Sequence, residues 1–264
     1  MSRTLPTAGR VLSAAAMVAV MVGISGCTAA GQSPADAATP ERTLTVFAAS
    51  SLAATFAELA TSFEAAHPGV QVHVNAAGSA DLVAQAAAGA PADVLATADT
   101  ITMAKAIDAD LTDERPEPFA SNSMTIVTPA DNPAAVTQLA DLANPQVRTV
   151  LCAPQVPCGA AAARVQLTSG ATIAPVSEET SAAAVLGKVT AGEADAGIVY
   201  ATDARLAAAK VHEVPIPAAA NTTNTYSIAV LKGTTHAALA DEFLALVRGV
   251  QGQDMLRRAG FGPA

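Results

Sequence analysis

Residues 44–79 read LTVFAASSLAATFAELATSFEAAHPGVQVHVNAAGS, and their patterning decides the fold class. Leu44-Thr45-Val46-Phe47 is a short apolar, β-branched run, the composition of a buried strand. Leu52, Phe56, Leu59 and Phe63 then recur at spacings of four, three and four, which places one apolar stripe on one face of a helix. His67-Pro68-Gly69 ends it, since proline cannot continue a helix and glycine accepts the conformation of a helix end. Val70, Val72 and Val74 alternate as a half-buried strand, and Gly78-Ser79 leads into a second helix over about 81–88, closed by Gly89 and Pro91. A third unit opens at Ala92-Asp93-Val94-Leu95 and reaches Asp99, placed to cap the next helix. Each strand end feeds a helix start, which predicts an α/β fold with mostly parallel sheets.

Further strands are expected at 124–128, 147–152, 197–200, 211–214 and 226–231, with helices between them and a last helix over about 235–250. The chain beyond residue 40 is long enough for two lobes of about 100 residues each. Residues 41–123 with 226–264 are expected to form the first lobe and 124–225 the second, the strands at 124–128 and 226–231 carrying the chain between them. This organisation suggests a binding protein with its ligand in the cleft.

At the amino terminus, Arg3 and Arg10 precede an apolar stretch from Val11 to Val22 that ends in Gly23-Ile24-Ser25-Gly26-Cys27. That is a charged region, an apolar region and a small-residue cleavage site, the layout of an export signal over residues 1–26. The stretch is shorter than the roughly 20 apolar residues a membrane span needs. Ile24-Ser25-Gly26-Cys27 resembles the bacterial lipobox, which implies that Cys27 becomes the lipidated first residue, anchoring the protein outside the cell membrane. An ordinary secretory signal is the other reading, and both export the chain. Thr28 to Pro40, rich in Ala, Gly, Ser and Pro, reads as a flexible tether with a reach of about 20 Å.

Hydrophobic residues make up 51% of the chain but aromatics only 3%, with no Trp, so the core must be Ala, Val and Leu and a ligand site cannot rest on stacked rings. The formal charge is −9, and loss of a leader bearing Arg3 and Arg10 takes it to −11, which argues against nucleic acid as a partner. With Cys27 assigned to lipid, Cys152 and Cys158 remain as one disulfide in an oxidising compartment, or as two buried thiols.

Two segments share one physical form. Phe47-Ala48-Ala49-Ser50-Ser51-Leu52 and Asn75-Ala76-Ala77-Gly78-Ser79-Ala80 each put small residues and a serine between a strand and a helix. A helix start offers unpaired N–H groups and partial positive charge, so it attracts anions. Taken singly, Ser51 and Ser79 are as readily helix caps. Together, with small neighbours that let an ion approach the backbone, they predict an oxyanion site. Hydroxyl and amide donors without an acceptor suit a fully deprotonated oxyanion, whereas phosphate at neutral pH keeps a proton and needs an acceptor.

These segments, with Ala90-Pro91-Ala92-Asp93-Val94-Leu95-Ala96-Thr97-Ala98-Asp99 and Gly197-Ile198-Val199-Tyr200, resemble in order and spacing the signatures of periplasmic molybdate-binding proteins, across essentially the whole mature chain. The resemblance implies the two-lobed type II periplasmic-binding-protein fold, with molybdate or tungstate held between the lobes and delivered to the permease of an ABC importer by a monomeric, non-enzymatic protein. It implies no cofactor, and no metal beyond the molybdenum of the bound oxyanion. By motif match, Ser51 and Ser79 supply hydroxyls, Cys158 and Ala182 supply backbone N–H groups and Tyr200 supplies a phenol. Ser50 stands where alanine is usual and is an additional candidate. Cys158 stands where a smaller residue is frequent, and the Glu178-Glu179-Thr180-Ser181 stretch allows the Ala182 position to shift by one.

Sulfate or another oxyanion is the alternative ligand, since sulfate shares the shape and charge. An exported serine hydrolase using Ser51 or Ser79 is the alternative from another class. It lacks the Gly-x-Ser-x-Gly signature, and His67, His73, His212 and His236 lie in no recognisable base motif. His67 reads as a helix terminus, His73 as an exposed strand position, Asp93 and Asp99 as structural carboxylates and Tyr226 as hinge packing.

Overall fold

The computed structural model describes residues 42–112 and 115–264. Cys27, the export signal and the tether read above lie outside the described residues. In chain order the strands are β1 (Arg42–Ala49), β2 (Val70–Ala77), β3 (Val94–Thr97), β4 (Glu117–Pro129), β5 (Thr149–Cys152), β6 (Ser177–Glu179), β7 (Ala196–Tyr200), β8 (Val211–Pro215) and β9 (Thr223–Val230). The helices are α1 (Ala53–Ala66), α2 (Ser79–Ala87), α3 (Thr100–Asp108), α4 (Pro157–Ser169), α5 (Ala182–Thr190), α6 (Ala201–Leu206), α7 (Ala237–Arg248) and α8 (Val250–Ala259).

The strands follow the order β2-β1-β3-β9-β4-β7-β5-β6, with β8 also on β4. The middle strand β4 serves two sheets. Its residues 117–123 pair with β9, and residues 124–129 pair with β7 and β8. The first lobe is therefore built on β2, β1, β3, β9 and the start of β4, and the second on the end of β4 with β7, β8, β5 and β6. The expected α/β architecture is present, but the ladders are mixed rather than mostly parallel. β1 is parallel to β2 and β3, and β5 to β6 and β7, while β4 and β9 run antiparallel to their neighbours. Those two strands reverse the direction of the chain between lobes, which parallel crossovers alone cannot do.

The parallel strands place the site. β1 and β2 are in register from Arg42↔Val70 to Ala49↔Ala77, so they end side by side and their following turns emerge together. Cys152 of β5 pairs with Glu179 of β6, which aligns two more turns. β3, β5 and β7 are buried along their whole length, as strands covered by helices on both faces are.

The periodic stripe of the first helix packs as read. Leu52, Phe56, Leu59 and Phe63 are all buried, and Phe56 and Phe63 meet Phe243 of α7 edge-on at 6.0 and 5.5 Å. The chain of rings continues through Phe119 and Tyr226 to Tyr200 across the lobes. A single 3-10 turn, Ser50–Leu52, precedes α1. The helix expected over about 235–250 is α7, and α8, which was not read from the sequence, follows it after a break where Gly249 takes an extended conformation and Gly252 packs so close that a Cβ would lie 2.3 Å from the Leu246 carbonyl oxygen. The carboxyl-terminal segment is tied back to β4 by the paired Ser121 and Gly262 backbones.

Candidate anion site

The carboxyl ends of six strands, β1, β2, β3, β5, β6 and β7, lead into the wall of one small cavity. Its wall comprises Ala49, Ser50 and Ser51 after β1, Gly78 and Ser79 after β2, Ala98 after β3, Pro157 and Cys158 at the start of α4, Thr180, Ser181 and Ala182 at the start of α5, and Tyr200 at the end of β7. All six residues read from sequence as ligand contacts, Ser50, Ser51, Ser79, Cys158, Ala182 and Tyr200, thus share one wall. A larger groove along α8, lined by Val250, Gln251 and Arg258 among others, lies on none of these turns.

The starts of α2, α4 and α5 face the cavity, and the first N–H groups of a helix have no partner within it. Pro157 occupies the first turn of α4, where its missing N–H costs nothing and its fixed φ suits the helix. Cys158 follows, joined to Cys152 by a disulfide with Cα atoms 5.7 Å apart. The cysteine pair expected from sequence is therefore bonded, and it clamps the loop that carries the Cys158 amide. Sequence reading missed Ser181, which caps α5 by accepting a hydrogen bond from the Ala184 N–H at 3.1 Å. A serine directly before an Ala-rich helix was the available signal.

The hydroxyls of Ser51, Ser79 and Tyr200 are engaged from behind. The Ala98 N–H donates to Ser79 Oγ at 3.1 Å, and Asn224 Nδ2 donates to Tyr200 Oη at 2.9 Å. Ser51 Oγ lies 2.8 Å from Tyr226 Oη, which itself accepts from Asn122 Nδ2 at 3.4 Å. With Tyr226 donating to Ser51, the oxygens of Ser51, Ser79 and Tyr200 each accept from the interior and keep a proton for the cavity. Tyr226 does pack in the hinge as read, but it also holds Ser51, a pairing across 175 residues that no local motif announces.

Burial pushes the phenols of Tyr200 and Tyr226 up, so both remain protonated donors at neutral pH. A buried carboxylate behind the wall was not foreseen. Asp203, in the first turn of α6, accepts from the Tyr200 N–H at 3.3 Å, and burial pushes it up to about 7. Asp99 and Asp93 are structural, Asp99 capping α3 through the Thr102 N–H at 2.7 Å and Asp93 accepting from the Thr45 N–H at 2.7 Å.

The lobes touch at the rim. Gly78 has φ −59°, open to any residue, yet a Cβ there would lie 2.3 Å from the Thr180 carbonyl oxygen. Glycine is needed here for the approach of the facing lobe, and the structure is that of a closed cleft.

The same arrangement is widespread among known proteins. Residues 44–262 match the family described as bacterial extracellular solute-binding protein. The chain belongs to this family. Among curated relatives of this solute-binding protein, the molybdate-binding protein ModA of Mycobacterium tuberculosis is 43% identical over 250 residues, 95% of each chain. Among solved structures, the periplasmic molybdate-binding protein of Azotobacter vinelandii superposes with a TM-score of 0.73 at 22% identity, over 84% of this chain and 99% of that one. The sulfate-binding protein SubI of Mycobacterium tuberculosis superposes equally, TM-score 0.73 at 21% identity, over 85% of this chain and 88% of that one. At such identities the superpositions speak for the fold, which two differently named anion binders share. Membership of this family makes the protein an extracytoplasmic one.

Proposed function

We propose that this solute-binding protein captures molybdate, and equally tungstate, in the cleft and delivers it to the permease of an ABC importer. One observation carries the reading: the wall offers protons from Ser51, Ser79 and Tyr200 and amides from helix starts, with each hydroxyl oxygen already engaged from behind. Such a wall suits a tetrahedral dianion with no proton of its own. The names of the 43% identical relatives favour molybdate over sulfate. Hydrogen bonds to a charged partner contribute about 1.5–3 kcal/mol each, so half a dozen support tight binding without a cationic contact.

In this reading Ser51 and Ser79 give hydroxyls, Cys158 and Ala182 amides, Tyr200 its phenol, and Ser50 is supplementary. The protein acts as a monomer, held at the membrane through lipid on Cys27. Residues 41–123 with 226–264 close on residues 124–225 when the ion arrives, and the closed form is what the permease receives. The hydroxyls of Ser51 and Ser79 meet Tyr226 and the Ala98 amide rather than a base, which speaks against the hydrolase alternative.

Isothermal titration of residues 41–264 against molybdate, tungstate, sulfate and phosphate tests the proposal. Molybdate and tungstate should bind with similar strength and sulfate far more weakly. Equal binding of sulfate overturns it, and an unchanged radius of gyration at saturating molybdate overturns closure.

A further inference from the structure

We propose that Arg164, which does not line the cavity, is a positioning residue that sets the proton of Tyr200 and so selects unprotonated oxyanions. The inference rests on the oxyanion reading of the site and deepens it. Arg164 lies on α4, the helix that begins beside Cys158. Its Nε donates to Thr222 Oγ1 at 3.1 Å, and a terminal nitrogen donates to Asn224 Oδ1. Among the described residues no ion pair includes Arg164.

A guanidinium can only donate, so the oxygen of the Asn224 amide must face it. The amide nitrogen then faces the other way, donating to Tyr200 Oη at 2.9 Å and to the Pro157 carbonyl at 3.4 Å. That carbonyl can only accept, so chemistry fixes the amide at both ends. Tyr200 has one hydroxyl proton. Having accepted from Asn224, it directs that proton at the cavity it lines. Were the amide reversed, Asn224 would take the phenol proton and Tyr200 would present a lone pair, the acceptor that a protonated oxyanion requires. Asn224 is only 2% exposed, so water is poorly placed to replace Arg164 as its partner. The same relay puts a fixed positive charge behind the phenol, on the side away from the dianion.

The test compares Arg164→Met, Arg164→Lys, Tyr200→Phe and the Arg164→Met/Tyr200→Phe double variant by titration with molybdate and with inorganic phosphate at neutral pH. Arg164→Met should lower molybdate affinity about tenfold and shrink the preference for molybdate over phosphate by at least as much. Arg164→Lys, which also only donates, should recover most of the preference. In the Tyr200→Phe background Arg164→Met should cost little more. Should Arg164→Met fold poorly, Asn224→Leu breaks the relay at its centre and should lose the same preference. Equal losses for both anions, or an undiminished Arg164→Met effect without the phenol, overturn the relay. A ligand-free measurement separates the relay from the function. Tyr226→Phe leaves Tyr200 as the remaining one of two tyrosines. Its Raman doublet should then shift from acceptor towards donor character when Arg164→Met is added. If the wild-type protein binds neither anion, the functional reading fails and this spectrum alone decides, an unchanged doublet overturning the relay.

Discussion

The two walls of the cavity solve one problem by different means. The first lobe presents hydroxyls, Ser51 and Ser79, each held by a hydrogen bond from its own lobe, from Tyr226 and from the Ala98 amide. The second lobe presents the helix starts at Cys158 and Ala182, the first clamped by a disulfide and Pro157, the second capped by Ser181. Side-chain donors can be removed one at a time by mutation. Backbone donors cannot, and are reached only through whatever holds the backbone. The first wall should therefore fail abruptly and the second by degrees.

The largest effect is expected on the first wall. Ser51→Ala and Ser79→Ala should each weaken molybdate binding by about 1.5–3 kcal/mol, the loss of a hydrogen bond to a charged ligand. Their ligand-free melting temperatures should fall less. If titration finds normal affinity while both variants melt early, the serines are structural caps and the contrast between the walls is lost.

On the second wall, replacing Cys152 and Cys158 together by serine should cost about 2 kcal/mol of stability, since the closed loop is short. Affinity should fall by about 1 kcal/mol, because a looser loop must be ordered when the ion arrives. Denaturant unfolding and titration check the two figures separately. Unchanged affinity in a less stable variant would show that Pro157 and the helix suffice to place the amide.

These contrasts also explain what the sequence made legible. The stripe of Leu52, Phe56, Leu59 and Phe63 announced α1, and serines in small-residue turns announced the first wall, because both signals are local. The amides of Cys158 and Ala182 have no side-chain signature, and only the resemblance to a family pointed to them. The start of β4, where the register shifts between Pro118 and Ala120, and the polar three-residue β6 lack the alternation of a strand, so neither was read. Asn224 and Asp203 were missed because their significance lies in partners brought close only by the fold.

A smaller effect tests how Asp203 behind Tyr200 bears on both walls. Its folded value is raised to about 7, so from pH 4 to 7 the folded state holds a proton that the unfolded state has released. Stability should therefore fall as pH rises through that interval, by a few kcal/mol at most, and level off above it. Ionised Asp203 also opposes a dianion, so molybdate affinity should decline by about threefold to tenfold between pH 6 and 8. Asp203→Asn should flatten both profiles, measured by unfolding and titration across pH. Profiles that keep their slopes in the variant would assign them to another group.

The smallest change is expected at Ser50. Ser50→Ala should shift affinity by less than about 0.5 kcal/mol, the usual scale for a position outside the principal contacts. A loss as large as that of Ser51→Ala would move the hydroxyl role by one residue.

The approach of Gly78 to the Thr180 carbonyl has a kinetic consequence. On the proposed reading, an ion enclosed where backbone meets backbone cannot slip out past a mobile side chain and would leave only when the lobes separate. Its residence time is then the waiting time for the hinge to open, however many hydrogen bonds hold it. A transporter that pulls the lobes apart would set the moment of release without touching the ion.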